Sequence, residues 1–107
     1  MNRGELWTMA GGGQYTRKPR PVLIVQRDEF DTDSVTVCPL TSDPVHSPLM
    51  RIPITPTKAN GLEQASSLMV DKITTTRRTR LQTQIGSLRD QEMTKFNNNA
   101  AIFLGIA

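Results

Sequence analysis

Arg20 and the pair Thr41-Ser42 are the residues of this 107-residue sequence whose types and surroundings could do chemistry together. Arg20 stands between Lys18-Pro19 and the apolar run Val22-Leu23-Ile24-Val25, and Thr41-Ser42 follow Ser34 to Leu40, a stretch rich in β-branched residues. A guanidinium holds two phosphate oxygens at once and offsets charge growing on them, while a hydroxyl fixes their orientation. Arg17 and Lys18, just upstream, add charge to the same segment. Such a set can grip a phosphodiester, and where the diester is RNA the substrate's own 2′-OH serves as nucleophile without a metal. The same residues would also make an arginine paired with an acid and a threonine capping a strand.

Other chemistry is poorly supplied. Cys38 and His46 are the only residues of their kinds, so one chain can build neither a disulfide nor a Cys/His zinc site, and no metal or cofactor is expected. Gly11-Gly12-Gly13 lacks the Gly-Lys-Ser/Thr of a nucleotide loop and precedes a strand, so it reads as a mobile loop that lets a ligand approach the backbone. Asp28, Glu29, Asp31 and Asp33 lack the glycine and closing glutamate of an EF-hand loop and read as a solvated turn. Charge is uneven: +4 over residues 1–27, −5 over 28–43, +5 over 44–89 and −1 beyond. If the two basic segments converge, they form a surface that attracts polyanions.

Positioning Arg20 and Thr41 falls to two strands. Val22 to Val25 is too short and too β-branched for an ordinary helix, and Ser34 to Cys38 resumes strand chemistry after the acidic turn. As an antiparallel hairpin, they bring the start of the first strand beside the end of the second, making Arg20 and Thr41 neighbours. Glu5 to Met9 reads as a strand, Leu49 to Ile54 as an edge strand because of Pro53, and Ser66 to Thr75 as one or two more. Met93, Phe96, Ala100 and Phe103 have helical spacing, predicting a helix from about Asp90 to Leu104, capped by Asp90 or Ser87 and stopped at Gly105. The expected fold is a single domain over residues 1–107, mainly β, an antiparallel barrel of five to seven strands with a C-terminal helix. No apolar run approaches the ~20 residues of a membrane span, and the start does not read as a signal peptide, so a cytoplasmic protein is expected.

Arg3-Gly4-Glu5-Leu6-Trp7, Arg20-Pro21-Val22-Leu23-Ile24-Val25, Pro39-Leu40-Thr41-Ser42, Gly61-Leu62, Leu68-Met69-Val70-Asp71-Lys72, Ile85-Gly86-Ser87-Leu88 and Leu104-Gly105-Ile106 together resemble the MazF/PemK/Kid toxin family over nearly the whole chain. The resemblance implies an SH3-like barrel, a homodimer, and a metal-independent endoribonuclease that cuts single-stranded RNA or mRNA to a 2′,3′-cyclic phosphate and a 5′-OH. A cognate antitoxin with an acidic C-terminal segment would restrain it. It implies Arg20 and Thr41 as catalytic residues and places Ser42 and Asp71 at the RNA; Gln14, Arg17, Lys18, Arg77 and Arg78 join them as expected substrate-binding residues. The sequence departs from the family where Gly13-Gln14 replaces a loop Glu-Gln, and at Met69 and Thr74, where relatives carry arginine. Two alternatives follow from those departures: a DNA gyrase poison resembling CcdB, and an RNA-binding homologue with weakened catalysis.

Overall fold

The computed structural model describes residues 1–11 and 18–107. Seven strands, β1 (Glu5–Met9), β2 (Arg20–Ile24), β3 (Ser34–Thr41), β4 (Arg51–Ile54), β5 (Ser66–Met69), β6 (Thr74–Arg77) and β7 (Leu81–Ser87), precede one helix, α1 (Asp90–Phe103). Single 3₁₀ turns lie at Val70–Lys72 and Arg78–Arg80. The sheet order is β4-β5-β3-β2-β1-β7, with β6 also on β3, and every pairing is antiparallel. This is the expected mainly β architecture with a C-terminal helix.

One edge of β3 is shared. Its first half, Ser34 to Val37, pairs with β6, and its end, Leu40 and Thr41, pairs with β5. The 3₁₀ turn between β5 and β6 lets the chain step from one half to the other, and β3 thereby joins two patches of sheet. Pro53 sits on β4, which is an outer strand, so its missing N–H costs no central ladder bond.

Both faces of β2 and β3 are buried. Leu6, Leu23, Cys38, Leu40, Ile52, Ile54 and Leu68 pack with Met93, Phe96 and Ala100 of α1, whereas Val22, Ile24, Val35, Val37 and Leu81 form a second cluster with Trp7 and Met9. Successive strand residues point to opposite faces, so a continuous apolar run such as Val22-Leu23-Ile24 belongs in a strand covered on both sides.

The helix departs from expectation at its cap and at Phe103. Neither Asp90 nor Ser87 caps it: the cap position is Arg89, whose backbone N–H donates to Glu92 Oε1 at 2.9 Å. Phe103 is 43 % exposed. At 3.6 residues per turn it still lies about 20° from buried Phe96, so its exposure goes with its place as the last residue of the helix, not with a change of face. Gly105, at φ +75°, closes the helix as expected, with Gly105 N–H on Ile102 O and Ile106 N–H on Ala101 O. Asn97 and Asn99, poor helix formers, act as ties: Asn97 accepts from Arg3, and Asn99 donates to Leu49 O at 3.1 Å.

Candidate active site

The β2–β3 ladder pairs Val22 with Pro39, Leu23 with Cys38 and Ile24 with Val37. Continued by two residues, it sets Arg20 opposite Thr41. The two residues line one cleft of about 280 Å³, together with Met9, Ala10, Gly11 and Met69. A larger cleft of about 480 Å³ opens on the other side of Arg20, lined by Lys18, Pro19, Ser42, Gly61, Glu63 and Gln64 among others. Arg20 therefore stands on the ridge between two clefts.

Arg20 is exposed, and its guanidinium has no hydrogen bond or ion pair among the described residues. The bland expectation for Arg20, pairing with an acid, is not what the described residues show. Thr41 Oγ1 accepts the Asp43 N–H at 3.1 Å, which fixes the hydroxyl at the strand end and leaves its proton free to donate outward. In this respect Thr41 is both a strand-end cap and a cleft residue. Asp43 in the smaller cleft and Glu63 in the larger one supply carboxylates beside the arginine.

The larger cleft has a rigid far wall. Asn60 is buried, and its side chain accepts from Thr57 N–H and Leu62 N–H at 3.0 Å and donates to Thr55 O at 2.9 Å. Gly61 adopts φ +68°, and a Cβ there would lie 2.0 Å from Ile85 O; one on Gly86 would lie 2.3 Å from Ala59 O. Only backbone fits where this loop crosses β7. Asn-Gly is a turn-forming pair, but the pair alone does not say that its turn walls a cleft.

Other expected site residues are placed differently. Asp71 makes an ion pair and hydrogen bond with Arg51, the two side chains being 24 % and 13 % exposed. Burial pushes the Asp71 carboxyl up, but the hydrogen bond and charge of Arg51 outweigh it and hold the group below the usual carboxylate range. Arg51 Nε is a buried donor with no partner among the described residues, an arrangement that costs about 1–3 kcal/mol.

Arg77 and Arg78 are not brought to Arg20. Arg77 pairs with Ser34, at the opposite end of β3 from Thr41, about 23 Å away along the strand. The Arg78 side chain donates to Thr32 O and, at 3.2 Å, to Phe30 O, and lies 3.8 Å from Asp31. It thus ties down the acidic hairpin tip, and neither Arg77 nor Arg78 joins Lys18 and Arg20 at the clefts. Arg80 braces the loop stem, donating to Ala10 O at 2.8 Å. Gln14 and Arg17, with Tyr15, lie outside the described residues. His46 lines neither cleft. Burial pushes the Cys38 thiol up to about 12, so it stays protonated and packs as a small apolar group.

With this geometry in view, the chain can be set beside known proteins. A family model described as PemK-like, MazF-like toxin of type II toxin–antitoxin system matches residues 2–104. A probable endoribonuclease MazF of Mycolicibacterium smegmatis is 50 % identical, covering 100 % of this chain and 99 % of the relative. Among solved structures, a mycobacterial endoribonuclease in complex with its cognate antitoxin superposes with TM-score 0.81 at 24 % identity, covering 100 % of this chain and 97 % of that one. A MazE–MazF structure from Deinococcus radiodurans gives TM-score 0.81 at 18 % identity, covering 100 % and 98 %.

Proposed function

The chain belongs to the PemK-like, MazF-like toxin family of type II toxin–antitoxin systems, and on that premise we propose that it is an endoribonuclease cutting single-stranded RNA at a phosphodiester held between Arg20 and Thr41. The observation that carries this reading is the exposed Arg20, unpaired among the described residues, facing Thr41 across the β2–β3 ladder at a shared cleft. The 2′-oxygen attacks phosphorus, its proton passes to a base, and the bond from phosphorus to the 5′-oxygen breaks as that oxygen takes up a proton. The products are a 2′,3′-cyclic phosphate and a 5′-OH. Charge grows on the two non-bridging oxygens in the transition state; Arg20 offsets it, and the Thr41 hydroxyl donates to one of them. Removing one such preorganised donor costs roughly a hundred- to a thousandfold in rate. This chemistry needs no metal or cofactor. Lys18 and Ser42, on the larger cleft, steer and seat the neighbouring backbone, and Gln14 and Arg17 belong to the same reading.

The partner in this reading is an antitoxin, by analogy with the complexes of the structural neighbours, and the reading gives it an acidic C-terminal segment. An acidic segment would meet the cations an RNA backbone meets, Lys18 and Arg20, and so compete with it. The chain acts as a homodimer in the cytoplasm; Ile102, Phe103, Leu104 and Ile106, exposed at the end of α1, supply apolar surface for a partner copy. No helix among the described residues is long and apolar enough to cross a membrane.

Purified protein incubated with defined single-stranded RNAs in EDTA should cut them, leaving 5′-OH ends. No cleavage of any RNA by a folded dimer, with supercoiling by gyrase inhibited in parallel, would overturn the reading.

A further inference from the structure

Attack by a 2′-hydroxyl needs a group that takes its proton, and the smaller cleft narrows the choice. Of the described residues that line it, only Arg20, Thr41 and Asp43 carry polar side chains. A guanidinium has donors and no acceptor, and Thr41 Oγ1 already accepts the Asp43 N–H. The Asp43 carboxylate is what remains. No carboxylate or imidazole stands in the sequence between Met9 and Arg20, so the segment joining β1 to β2 brings none. His46 lines neither cleft, and Glu63 lines the larger one, which Thr41 does not.

Asp43 is exposed, and its carboxylate has no hydrogen bond or ion pair among the described residues. Its backbone is held on both sides: the N–H donates to Thr41 Oγ1 at 3.1 Å, and the carbonyl accepts from Val45 N–H at 2.9 Å. The side chain therefore starts from a fixed point beside the Thr41 hydroxyl with both oxygens open. A carboxylate repels a polyanion, so a cleft that only bound RNA would be better without one. A cleft in which a hydroxyl must lose its proton has a use for it.

We propose that Asp43 is the general base of the cleavage, accepting the 2′-hydroxyl proton while Arg20 and Thr41 hold the non-bridging phosphate oxygens. As a carboxylate oxygen of Asp43 takes that proton, the 2′-oxygen forms its bond to phosphorus. The bond from phosphorus to the 5′-oxygen breaks with its electron pair, and the 5′-oxygen takes a proton from water. The proton on Asp43 then returns to the solvent, so no other reactant is consumed. The inference rests on the endoribonuclease reading and assigns the base that this reading leaves open.

The test compares single-turnover cleavage of a defined single-stranded RNA in EDTA with binding of the same RNA made uncleavable by 2′-deoxy substitution. Asp43→Asn should cut about a hundredfold more slowly yet bind the 2′-deoxy RNA at least as tightly, because it keeps the size and removes a like charge. Asp43→Glu, which keeps a carboxylate, should retain more of the rate than Asp43→Asn. When sulfur replaces the 5′-bridging oxygen, the leaving thiolate needs no proton, and the loss in Asp43→Asn should persist. Its disappearance there would make Asp43 the acid for the leaving group and overturn the assignment. Equal cleavage by Asp43→Asn and the wild type, or a hundredfold loss found in Glu63→Gln alone, would overturn it too and leave the nuclease reading standing. Failure of the wild type to cut any RNA would overturn both.

Discussion

The two ends of β3 carry arginines in opposite states. At the Thr41 end, Arg20 is exposed and unpaired among the described residues, on a ridge between two clefts. At the Ser34 end, Arg78 is spent on carbonyls of the hairpin tip and on Asp31. A guanidinium that satisfies its own fold has its donors occupied, whereas one left open can receive an oxyanion without first breaking a bond. Basic composition alone does not separate these roles; the availability of the donors does.

That contrast can be broken by substitution. The largest effect is expected for Arg20→Ala, which should lower single-turnover cleavage of a defined RNA by about a thousandfold while leaving the melting temperature near that of the wild type. A melting temperature several degrees lower would show Arg20 to be structural instead. Thr41→Ala should cost about a hundredfold and Thr41→Ser much less, because serine keeps the hydroxyl. Arg78→Ala should do the reverse, destabilising by about 1–3 kcal/mol in denaturant unfolding with kcat nearly unchanged. Binding measured against salt should give a shallower slope for Arg20→Ala and an unaltered one for Arg77→Ala, since only the first is expected to release counterions from a phosphate.

The smallest effect concerns pH. The folded carboxyl of Asp71 titrates below its unfolded value, so the unfolded chain binds the proton more readily. The stability this contributes is present above the unfolded pKa and is lost as pH falls through the folded one. Acid unfolding of Asp71→Asn should show a weaker pH dependence below about pH 4 than the wild type. Identical curves would mean that the Arg51 pair is not maintained in solution.

Much of this arrangement was legible in the sequence. The apolar run from Val22 and the β-branched stretch from Ser34 fixed a hairpin, and antiparallel pairing then forced Arg20 toward Thr41. Pro53 marked an outer strand, and the spacing of Met93, Phe96 and Ala100 marked the helix. β7 gave no comparable signal: between Leu81 and Ile85 it presents Gln82, Thr83 and Gln84 to solvent, so no alternation betrays a half-buried strand. Arg77 and Arg78 were expected at the substrate because charge counts ignore direction, and only the pairing of β6 with the start of β3 carries them away. Arg51 left no trace as a partner for Asp71, since the contact spans 20 residues and depends on β4 and β5 aligning. Family likeness named Asp71, but not what holds it.

The contact of Gly61 and Gly86 with facing backbone bears on how such a chain loses its potency. A methyl group at either position would displace the whole segment that carries Glu63 and Gln64, deforming the substrate's berth while every reactive group stays intact. In cells selected for growth despite this toxin, escape substitutions should therefore recur at these two glycines as well as at Arg20, with the protein still made but misshapen.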